Sequence, residues 1–155
     1  MEIVRAESRH ADKILDLLVQ VNNVHNDGRP DLFLRDKTKY TKQELLEILA
    51  DDARPVFVAE EDGKVLGYAF GVFQSHKEDN NWPDIVTFYV DDICVDETVR
   101  GKHVGSALYG FVKDFARSQG CYNLTLNVWE KNESAKGFYE AMGLTVQKIG
   151  MEAIL

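Results

Sequence analysis

The sequence predicts one α/β domain built on a mixed β-sheet, and three observations support this fold class. Segments with the apolar periodicity of helices alternate along the chain with short runs of β-branched and aromatic residues. The length of 155 residues suits one domain of the commonest size. No internal repeat, linker or low-complexity segment divides the sequence. We therefore interpret residues 1–155 as a single domain.

The first predicted elements are a short strand at residues 3–6 and a helix at residues 9–24. Apolar side chains recur in this helix at helical spacing: Ala11, Ile14, Leu15, Leu18 and Val21. A segment with glycine and proline at residues 25–33 interrupts the pattern. Thr41 and Glu44 then form a capping-box pattern, which predicts a second short helix.

An Asp-Gly pair at residues 62–63 stands between strand-like runs at residues 56–60 and 64–73, which predicts a hairpin. A polar loop at residues 75–84 follows. The remaining predicted elements alternate strand and helix: a strand at 85–95, a helix at 104–119 stopped at Gly120, a strand at 123–128, a helix at 133–142 stopped at Gly143, and a strand at 144–155 that closes the sheet.

The composition excludes several classes of protein. Hydrophobic residues make up 45% and charged residues 28%, which is typical of a folded domain. No apolar run approaches the ~20 residues of a membrane span, and the start MEIVRAESRH lacks the apolar core of a signal peptide. The net charge of -8 argues against nucleic-acid binding and would suit a cationic ligand, although it would also serve solubility alone. We expect a cytoplasmic protein without nucleic-acid or membrane partners.

The two cysteines, Cys94 and Cys121, form no C-x-x-C pattern, and histidines are few. This argues against a zinc site and a disulfide framework, so we expect no metal and two reduced thiols. Cys94 lies on a predicted strand, where it is either an inert packing residue or a nucleophile.

Residues 91–106, with the sequence DDICVDETVRGKHVGS, carry the most chemical information. They run from the end of a strand through a basic turn into a helix. Amides at a helix start have no intrahelical partner, and the helix dipole favours an anion there. The amides are those of Gly101, Lys102, His103, Val104, Gly105 and Ser106. Arg100 and Lys102 add charged donors for phosphate oxygens. The competing interpretation is an ordinary strand-turn-helix joint with a solvated basic turn.

Two known phosphate-binding patterns do not fit this turn. A dinucleotide-binding G-x-G-x-x-G that begins at Gly101 would need glycine at His103 and Ser106. A Walker loop would need lysine after Gly105, where Ser106 stands.

The turn instead resembles the acyl-CoA loop of the GNAT superfamily of N-acetyltransferases, whose pattern is Q/R-x-x-G-x-G/A after a strand. Arg100 and Gly105 match the ends of that pattern. His103 stands where the family usually has its first glycine. Its imidazole would either crowd the pyrophosphate or add positive charge to the site.

A second segment, NESAKGFYEAMGL, is similar to the family pattern N-x-x-A-x-x-F-Y-x-x-x-G. The matching residues are Asn132, Ala135, Phe138, Tyr139 and Gly143. The spacing of strand, helix and strand between the motifs also matches, so the resemblance is specific from about residue 90 to residue 144.

The resemblance implies a GNAT-like fold, with a mixed, mostly antiparallel central sheet, splayed middle strands and about four flanking helices. The pantetheine arm of acetyl-CoA would bond the backbone groups that the splay leaves free. Ile93, Cys94 and Val95 would line this arm, and one of their amides would polarise the thioester carbonyl. Asn132 would bond the arm or, alternatively, only cap the last helix.

The resemblance also implies catalytic roles. Tyr139 would be the general acid that protonates the departing CoA thiolate; the alternative is a core aromatic residue beside Phe138. The base must take a proton from the acceptor ammonium. Asp91 and Asp92 are the candidates, with Glu130 behind them on the acceptor side. A regular strand would point the two aspartates to opposite faces unless a bulge re-aims one, and a solvated acidic strand end is the competing interpretation.

The acceptor pocket of this fold is built from the first two helices and the segment that joins them. His25, Arg29, Asp31 and Phe33 lie in that segment and supply charges and an aromatic wall. Arg29 would hold a substrate carboxylate while Asp31 or Asp92 holds its ammonium. An Arg29–Asp31 ion pair in a plain loop is the competing interpretation.

We therefore expect an acetyl-CoA-dependent N-acetyltransferase that acts on a primary amine of a small molecule, polyamine-like or amino-acid-like, by direct attack in a ternary complex. A protein N-terminus or lysine is the alternative acceptor. A non-catalytic acyl-CoA-binding regulatory module is the alternative outside the enzymes, and the failed glycine patterns disfavour other nucleotide-binding modules. The acceptor's identity and the oligomeric state stay open, a homodimer included.

Overall fold

The computed structural model describes residues 1–155, and its centre is a five-stranded sheet in the order β1-β2-β3-β4-β5. The strands are β1 (Glu2–Arg5), β2 (Val56–Glu61), β3 (Lys64–Ser75), β4 (Val86–Val95) and β5 (Asn123–Leu126). Neighbours from β1 to β4 are antiparallel, and β5 lies parallel to β4. The predicted mixed, mostly antiparallel sheet is confirmed.

Four α-helices flank the sheet: α1 (Ala11–Gly28), α2 (Lys42–Leu49), α3 (Val104–Ser118) and α4 (Glu133–Ala141). Short 3-10 turns occupy Ser8–His10 and Glu97–Val99. The capping box that begins α2 is confirmed, because Thr41 Oγ1 accepts from the Glu44 amide at 3.1 Å and the Glu44 carboxylate accepts from the Thr41 amide at 3.3 Å. None of the helices is long and apolar enough to cross a membrane.

The helices bury their apolar sides on opposite faces of the sheet. One core cluster packs α1 and α2 against β2, β3 and β4. Its members include Ile14, Leu17 and Leu45 of the helices and Val58 and Tyr68 of the strands. The other joins α3 to the opposite face, with Phe57, Ala69, Phe88, Val90 and Leu108. Alternate residues of each strand serve the two clusters, as the side-chain period of a strand requires.

Helix α1 is longer than its periodicity predicts, since it continues to Gly28 and not to residue 24. His25 therefore lies in the last turn of α1 and not in a loop. The extra turn is held by tertiary bonds, in which the side-chain amide of Asn26 donates to the Phe33 carbonyl at 2.6 Å and that of Asn22 donates to the Leu34 carbonyl at 2.6 Å.

The prediction of a strand at residues 144–155 is wrong. This segment contains no strand, and no backbone–backbone hydrogen bond involves residues 145–155. The segment is rich in apolar residues, but a strand also needs a neighbouring strand, and no backbone group of residues 145–155 bonds to one within the chain. β5 consequently remains an edge strand, paired only with β4.

Candidate active site

The basic turn leads into α3 through two residues with left-handed backbone. Gly101 has φ 85° and His103 has φ 60°, and His103 immediately precedes the helix. The first intrahelical bond at this end is donated by the Ala107 amide to the His103 carbonyl at 3.1 Å. The amides of Val104, Gly105 and Ser106 therefore come before the ladder of helical bonds, at the positive end of the dipole.

The basic side chains of this turn have no partners within the chain. Arg100, Lys102 and His103 are exposed, and none of the ion pairs of the structure includes them. In a chain with a net charge of -8, three unpaired basic groups beside free helix amides form a local anion-binding arrangement.

Asp96, which the sequence analysis did not single out, holds the turn in place. Its Oδ1 accepts from the Thr98 amide at 3.0 Å and from the Thr98 hydroxyl at 2.9 Å, and its Oδ2 pairs with Lys13 of α1. The hydrogen bond from Lys13, followed by that from the Thr98 amide, lowers the Asp96 pKa to about 2. The Asp-x-Thr spacing was the available signal, because this pattern favours a side-chain-closed turn.

Strands β4 and β5 separate where the predicted donor site lies. Their pairing runs from Thr87 opposite Asn123 to Val90 opposite Leu126, and β5 ends there. β4 continues to Val95 with its other edge paired to β3. The backbone of Ile93, Cys94 and Val95 thus lacks a strand neighbour on the β5 side, which leaves a groove that an extended ligand can pair with.

A β-bulge at Asp91 puts both aspartates on one face of the sheet. Phe70 pairs with Asp92 and Gly71 pairs with Val90, so Asp91 is the extra residue. The Tyr40 hydroxyl donates to Asp91 at 3.2 Å, and the Tyr68 hydroxyl donates to Asp92 at 2.6 Å, both from the side of α1 and α2. The opposite-face geometry of a regular strand does not apply, because the extra residue shifts the alternation by one.

The surroundings of Asp92 make this carboxylate more basic than an ordinary aspartate. Desolvation by its surroundings raises the Asp92 pKa to about 6, against the opposing effect of the hydrogen bond from fully buried Tyr68. Asp91 instead pairs with the ammonium of Lys39 at 2.9 Å and accepts from the Tyr40 hydroxyl. The two neighbouring carboxylates therefore have different surroundings and different availability for proton transfer.

Tyr139 lies on α4, close enough to Asp92 for the charge of that carboxylate to act on its phenol. Burial, and secondarily the negative charge of Asp92, raises the pKa of its phenol, so the phenol stays protonated at neutral pH. Its hydroxyl takes part in none of the hydrogen bonds within the chain. Phe138 packs edge-on against Tyr139 with ring centroids 5.2 Å apart, and a side chain at Gly105 would meet the Phe138 ring at 3.5 Å. The two sequence motifs thus adjoin in space.

Cys94 has the environment of a packing residue. Its thiol is buried in the α1–α2 cluster and donates to the Leu17 carbonyl at 3.6 Å. Desolvation, together with the negative charge of Asp92, raises the Cys94 pKa to about 12, so almost no thiolate forms at neutral pH.

Three aromatic rings stand together on the acceptor side. Phe33 lies 5.0 Å from His25 and 5.3 Å from Trp129 between ring centroids. Burial and the charge of Lys39 lower the His25 pKa, and His25 Nδ1 is buried without a hydrogen-bond partner. A cleft of about 260 Å³ opens beside His25, Arg29 and Trp129, and neither Asp92 nor Tyr139 lines it.

The other residues predicted to bind substrates form ion pairs or hydrogen bonds with groups of the chain itself. Arg29 binds Asp31 through two bonds of 2.9 and 2.8 Å and also pairs with Glu152, so the Arg29–Asp31 ion pair of the competing interpretation is present. Glu130 is exposed and pairs with Lys136 at 3.3 Å. Asn132 caps α4 by accepting from the Ala135 amide at 3.1 Å.

Sequence reasoning missed Tyr40, Lys39, Tyr68 and Trp129, which complete the surroundings of the predicted residues. Tyr68 reaches Asp92 only because β3 and β4 pair with Tyr68 opposite Cys94. Such cross-strand neighbours depend on register, and a single sequence contains no direct signal of it.

The sequence matches the profile of the acetyltransferase (GNAT) family over residues 6–144. The chain therefore belongs to the GNAT family of acetyltransferases, whose acyl donor is acetyl-CoA. The predictions of family, fold and acyl donor are confirmed.

Two curated relatives match parts of the chain. Glucosamine 6-phosphate N-acetyltransferase of Arabidopsis thaliana is 35% identical over 63 residues, which are 41% of this chain and 40% of that protein. An uncharacterized N-acetyltransferase in the pepI 3' region of Lactobacillus delbrueckii subsp. lactis is 32% identical over 87 residues, which are 54% of this chain and 47% of that protein. The chain thus spans less than half the length of either relative.

Solved structures agree on the fold. A tetramutant of the BH1408 protein from Bacillus halodurans has a TM-score of 0.94 at 26% identity, with 100% of both chains covered. An aminoglycoside acetyltransferase from an uncultured soil metagenomic sample, in complex with sisomicin, has a TM-score of 0.75 at 16% identity, with 99% of this chain and 94% of that chain covered. The second likeness concerns the fold alone.

Proposed function

We propose that this protein transfers the acetyl group of acetyl-CoA to a primary amine of a small molecule, by direct attack within a ternary complex. The observation that carries this proposal is Asp92, a carboxylate with a raised pKa beside the groove between β4 and β5, close enough to the protonated Tyr139 for its charge to affect the phenol. An ionised Asp92 and a protonated Tyr139 would thus be available as base and acid.

The donor would bind along the splay. Its pyrophosphate would take the free amides of Val104 to Ser106 with Arg100 and Lys102, and its pantetheine arm would pair with β4. One amide of Ile93, Cys94 or Val95 would donate to the thioester oxygen as negative charge develops there, and such a fixed donor is worth roughly 3 kcal/mol.

Asp92 would then accept a proton from the acceptor ammonium, directly or through one water. With a pKa of about 6 it is mostly ionised at pH 7. Compared with an ordinary carboxylate, its raised pKa makes this proton transfer less unfavourable by roughly 3 kcal/mol. The amine nitrogen attacks the thioester carbon, the carbon–sulfur bond breaks, and Tyr139 gives its proton to the leaving thiolate. The nitrogen then releases its second proton as the amide forms, and that proton restores the Tyr139 phenol by way of solvent.

A small acceptor is favoured by what covers the aspartates. Tyr40 and Lys39, from the segment between α1 and α2, both bond to Asp91, and Phe33 of the same segment packs on His25. These contacts cover part of the approach to Asp92. A small amine would therefore reach this carboxylate more readily than an amine on a protein surface. The acidic pair favours a cation, and the partly matched relative named for glucosamine 6-phosphate is consistent with a small amine without defining which one.

The test is a panel of polyamines, amino acids, amino sugars, aminoglycosides and peptides with free N-termini, assayed for CoA thiol release and for acetyl-CoA binding. We expect release with at least one small amine and little with peptides. Stronger release with peptides would favour a protein acceptor. Tight binding of acetyl-CoA without release from any amine would favour a regulatory acyl-CoA-binding module.

A further inference from the structure

One primary amine of the chain itself lies at the candidate active site. The ammonium of Lys39, in the segment between α1 and α2, donates to the Asp91 carboxylate at 2.9 Å. Asp91 is the bulged residue of β4 and directly precedes Asp92. Both carboxylates accept hydrogen bonds on the face of the sheet that α1 and α2 cover. The Lys39 ammonium is therefore bound beside the candidate base, on the side where the first two helices and the segment that joins them would form the acceptor pocket.

The positive charge of Lys39 acts on the side chains around this position. Burial, and after it the Lys39 charge, lowers the pKa of His25 in the last turn of α1. Desolvation raises the Asp92 pKa, and the Lys39 charge opposes this increase. Charge effects weaken with distance, so the ammonium lies near both side chains. Burial, and after it the Asp92 charge, raises the Tyr139 pKa. A primary amine, a candidate base and a candidate acid thus lie in one neighbourhood.

Lys42, three residues later, shows what distinguishes Lys39 from an ordinary surface lysine. The two side chains are almost equally exposed, at 57% and 55%, and each pairs with an aspartate, Lys42 with Asp12 at 2.8 Å. Asp12 is 83% exposed, so that pair is a surface ion pair, which contributes little to stability. Asp91 is only 20% exposed. Lys39 therefore reaches inward from an exposed stem and places its ammonium where the ammonium of a small acceptor would bind.

We propose that Lys39 Nζ is itself an acceptor, and that each chain acetylates its own Lys39 with the acetyl-CoA that it binds. This inference rests on the proposed function, because it uses the same donor, base and acid. The four-carbon stem of lysine is flexible, so the nitrogen can leave Asp91 and turn toward the groove between β4 and β5.

The transfer to Lys39 uses the groups that we assign to the reaction with a free amine. The ammonium gives one proton to Asp92, directly or through one water. The free Nζ attacks the thioester carbon, the carbon–sulfur bond breaks, and the leaving thiolate takes a proton from Tyr139. Nζ releases its second proton to solvent as the amide forms, and solvent restores the Tyr139 phenol. The products are an acetylated lysine and the CoA thiol. Acetylation removes the Lys39 charge, so Asp91 becomes available to a cationic acceptor.

Peptide mass spectrometry tests the transfer, with the unmodified chain incubated with saturating acetyl-CoA and no added amine. We expect Lys39 to gain an acetyl group at least about tenfold faster than Lys42, with release of a single equivalent of CoA thiol. The rate per chain should not change on dilution, because one chain holds both donor and acceptor. Lys39→Arg should abolish this release, whereas the matched control Lys42→Arg should leave it unchanged.

Asp92→Asn separates catalysed transfer from the uncatalysed reaction of acetyl-CoA with exposed lysines. The variant should acetylate Lys39 at least about tenfold more slowly and leave the Lys42 rate unchanged. Circular dichroism and acetyl-CoA binding should show that it keeps the fold and the donor site. Three outcomes would each overturn the proposal: equal rates at Lys39 and Lys42, a Lys39 rate that Asp92→Asn leaves unchanged, or a rate per chain that falls on dilution.

The panel of free amines distinguishes the failure of this inference from the failure of the proposed function. Turnover of free amines without acetylation of Lys39 would overturn the inference and leave the proposed function intact. Acetylation of Lys39 without turnover of any free amine would support the inference and overturn the proposed small-molecule acceptor.

Discussion

Asp92 and Tyr139 come from different parts of the sequence, and their chemistry depends on the groups packed around them. Desolvation raises the pKa of both side chains. With a pKa of about 6, Asp92 is still mostly ionised at pH 7, whereas the Tyr139 phenol is protonated. The Tyr68 hydroxyl orients the Asp92 carboxylate, whereas the Tyr139 hydroxyl has no partner in the chain and is free to bond a ligand.

Replacement of Tyr139 by phenylalanine removes only the hydroxyl. We expect kcat to fall on the order of 10²-fold or more, with CoA affinity and Tm nearly unchanged, because the hydroxyl makes no bond within the fold. Steady-state kinetics and thermal unfolding measure both quantities. Tyr122→Phe, at a residue 74% exposed, is the matched control. A loss of roughly 1 kcal/mol in stability with kcat unchanged would instead make the hydroxyl structural.

Asp92→Asn tests the base. The unmodified protein should lose kcat/KM as pH falls through about 6, since protonated Asp92 accepts no proton. The variant should lose about 10²-fold or more in kcat/KM and recover part of it at high pH, where free amine is more abundant. Asp91→Asn belongs in the same series, and Asp16→Asn, at an exposed carboxylate, is the control. If Tyr139→Phe and both active-site Asp→Asn variants stay within about twofold, the acid-base mechanism is wrong.

The same pKa shift has a consequence for stability. Because the Asp92 pKa is higher in the folded chain than in the unfolded chain, the folded state binds this proton more tightly. Its contribution to the free energy of unfolding therefore decreases as pH rises from ~4 to about 6. Asp92→Asn should remove this decrease, which denaturant titrations at several pH values would detect.

At the scale of elements, the start of α3 shows why the family uses glycine where this chain has His103. The residue before the helix has φ 60°, a conformation that costs a side chain about 1 kcal/mol and costs glycine little. The histidine is therefore accommodated by backbone strain, with its exposed imidazole beside the anion-binding amides.

His103→Gly should relieve that strain and raise the free energy of unfolding by up to about 1 kcal/mol, less the extra entropy of glycine in the unfolded chain. We also expect tighter CoA binding, because the imidazole no longer crowds the pyrophosphate. Lys102→Gly, at a residue without positive φ, should lower stability instead. Calorimetric titration at pH 6 and pH 8 decides the role of the imidazole: affinity lost on His103→Gly at pH 6 only would show that it binds phosphate as a cation.

At the scale of the whole molecule, the donor groove joins parts of the chain that pack little against one another. β4 and the body of α3 contain buried residues, whereas every residue of α4, Tyr139 included, is at least partly exposed. A ligand that spans both should stabilise the fold as a whole. At 100 times its Kd, acetyl-CoA or CoA should raise stability by about 2.7 kcal/mol, which corresponds to roughly 5–10 °C in Tm. Thermal scans with ATP and NAD should show much smaller shifts, and an equal shift with NAD would contradict CoA recognition.

The sequence by itself determined the elements and the donor site in outline. Helical periodicity located the four helices, the Thr41 capping box marked the start of α2, and two motifs identified the family. These features could be predicted because each depends on residues close together in the chain, where spacing alone fixes which groups are neighbours.

Tertiary structure decided which side chains meet. The bulge at Asp91 turned both aspartates to one face, and the register of β3 and β4 brought Tyr68 to Asp92. The same dependence on distant partners left residues 144–155 without a strand, although the sequence analysis predicts one there. Periodicity reports which residues share a face, but hydrogen bonds between strands, desolvation and the resulting pKa values depend on segments far apart in sequence.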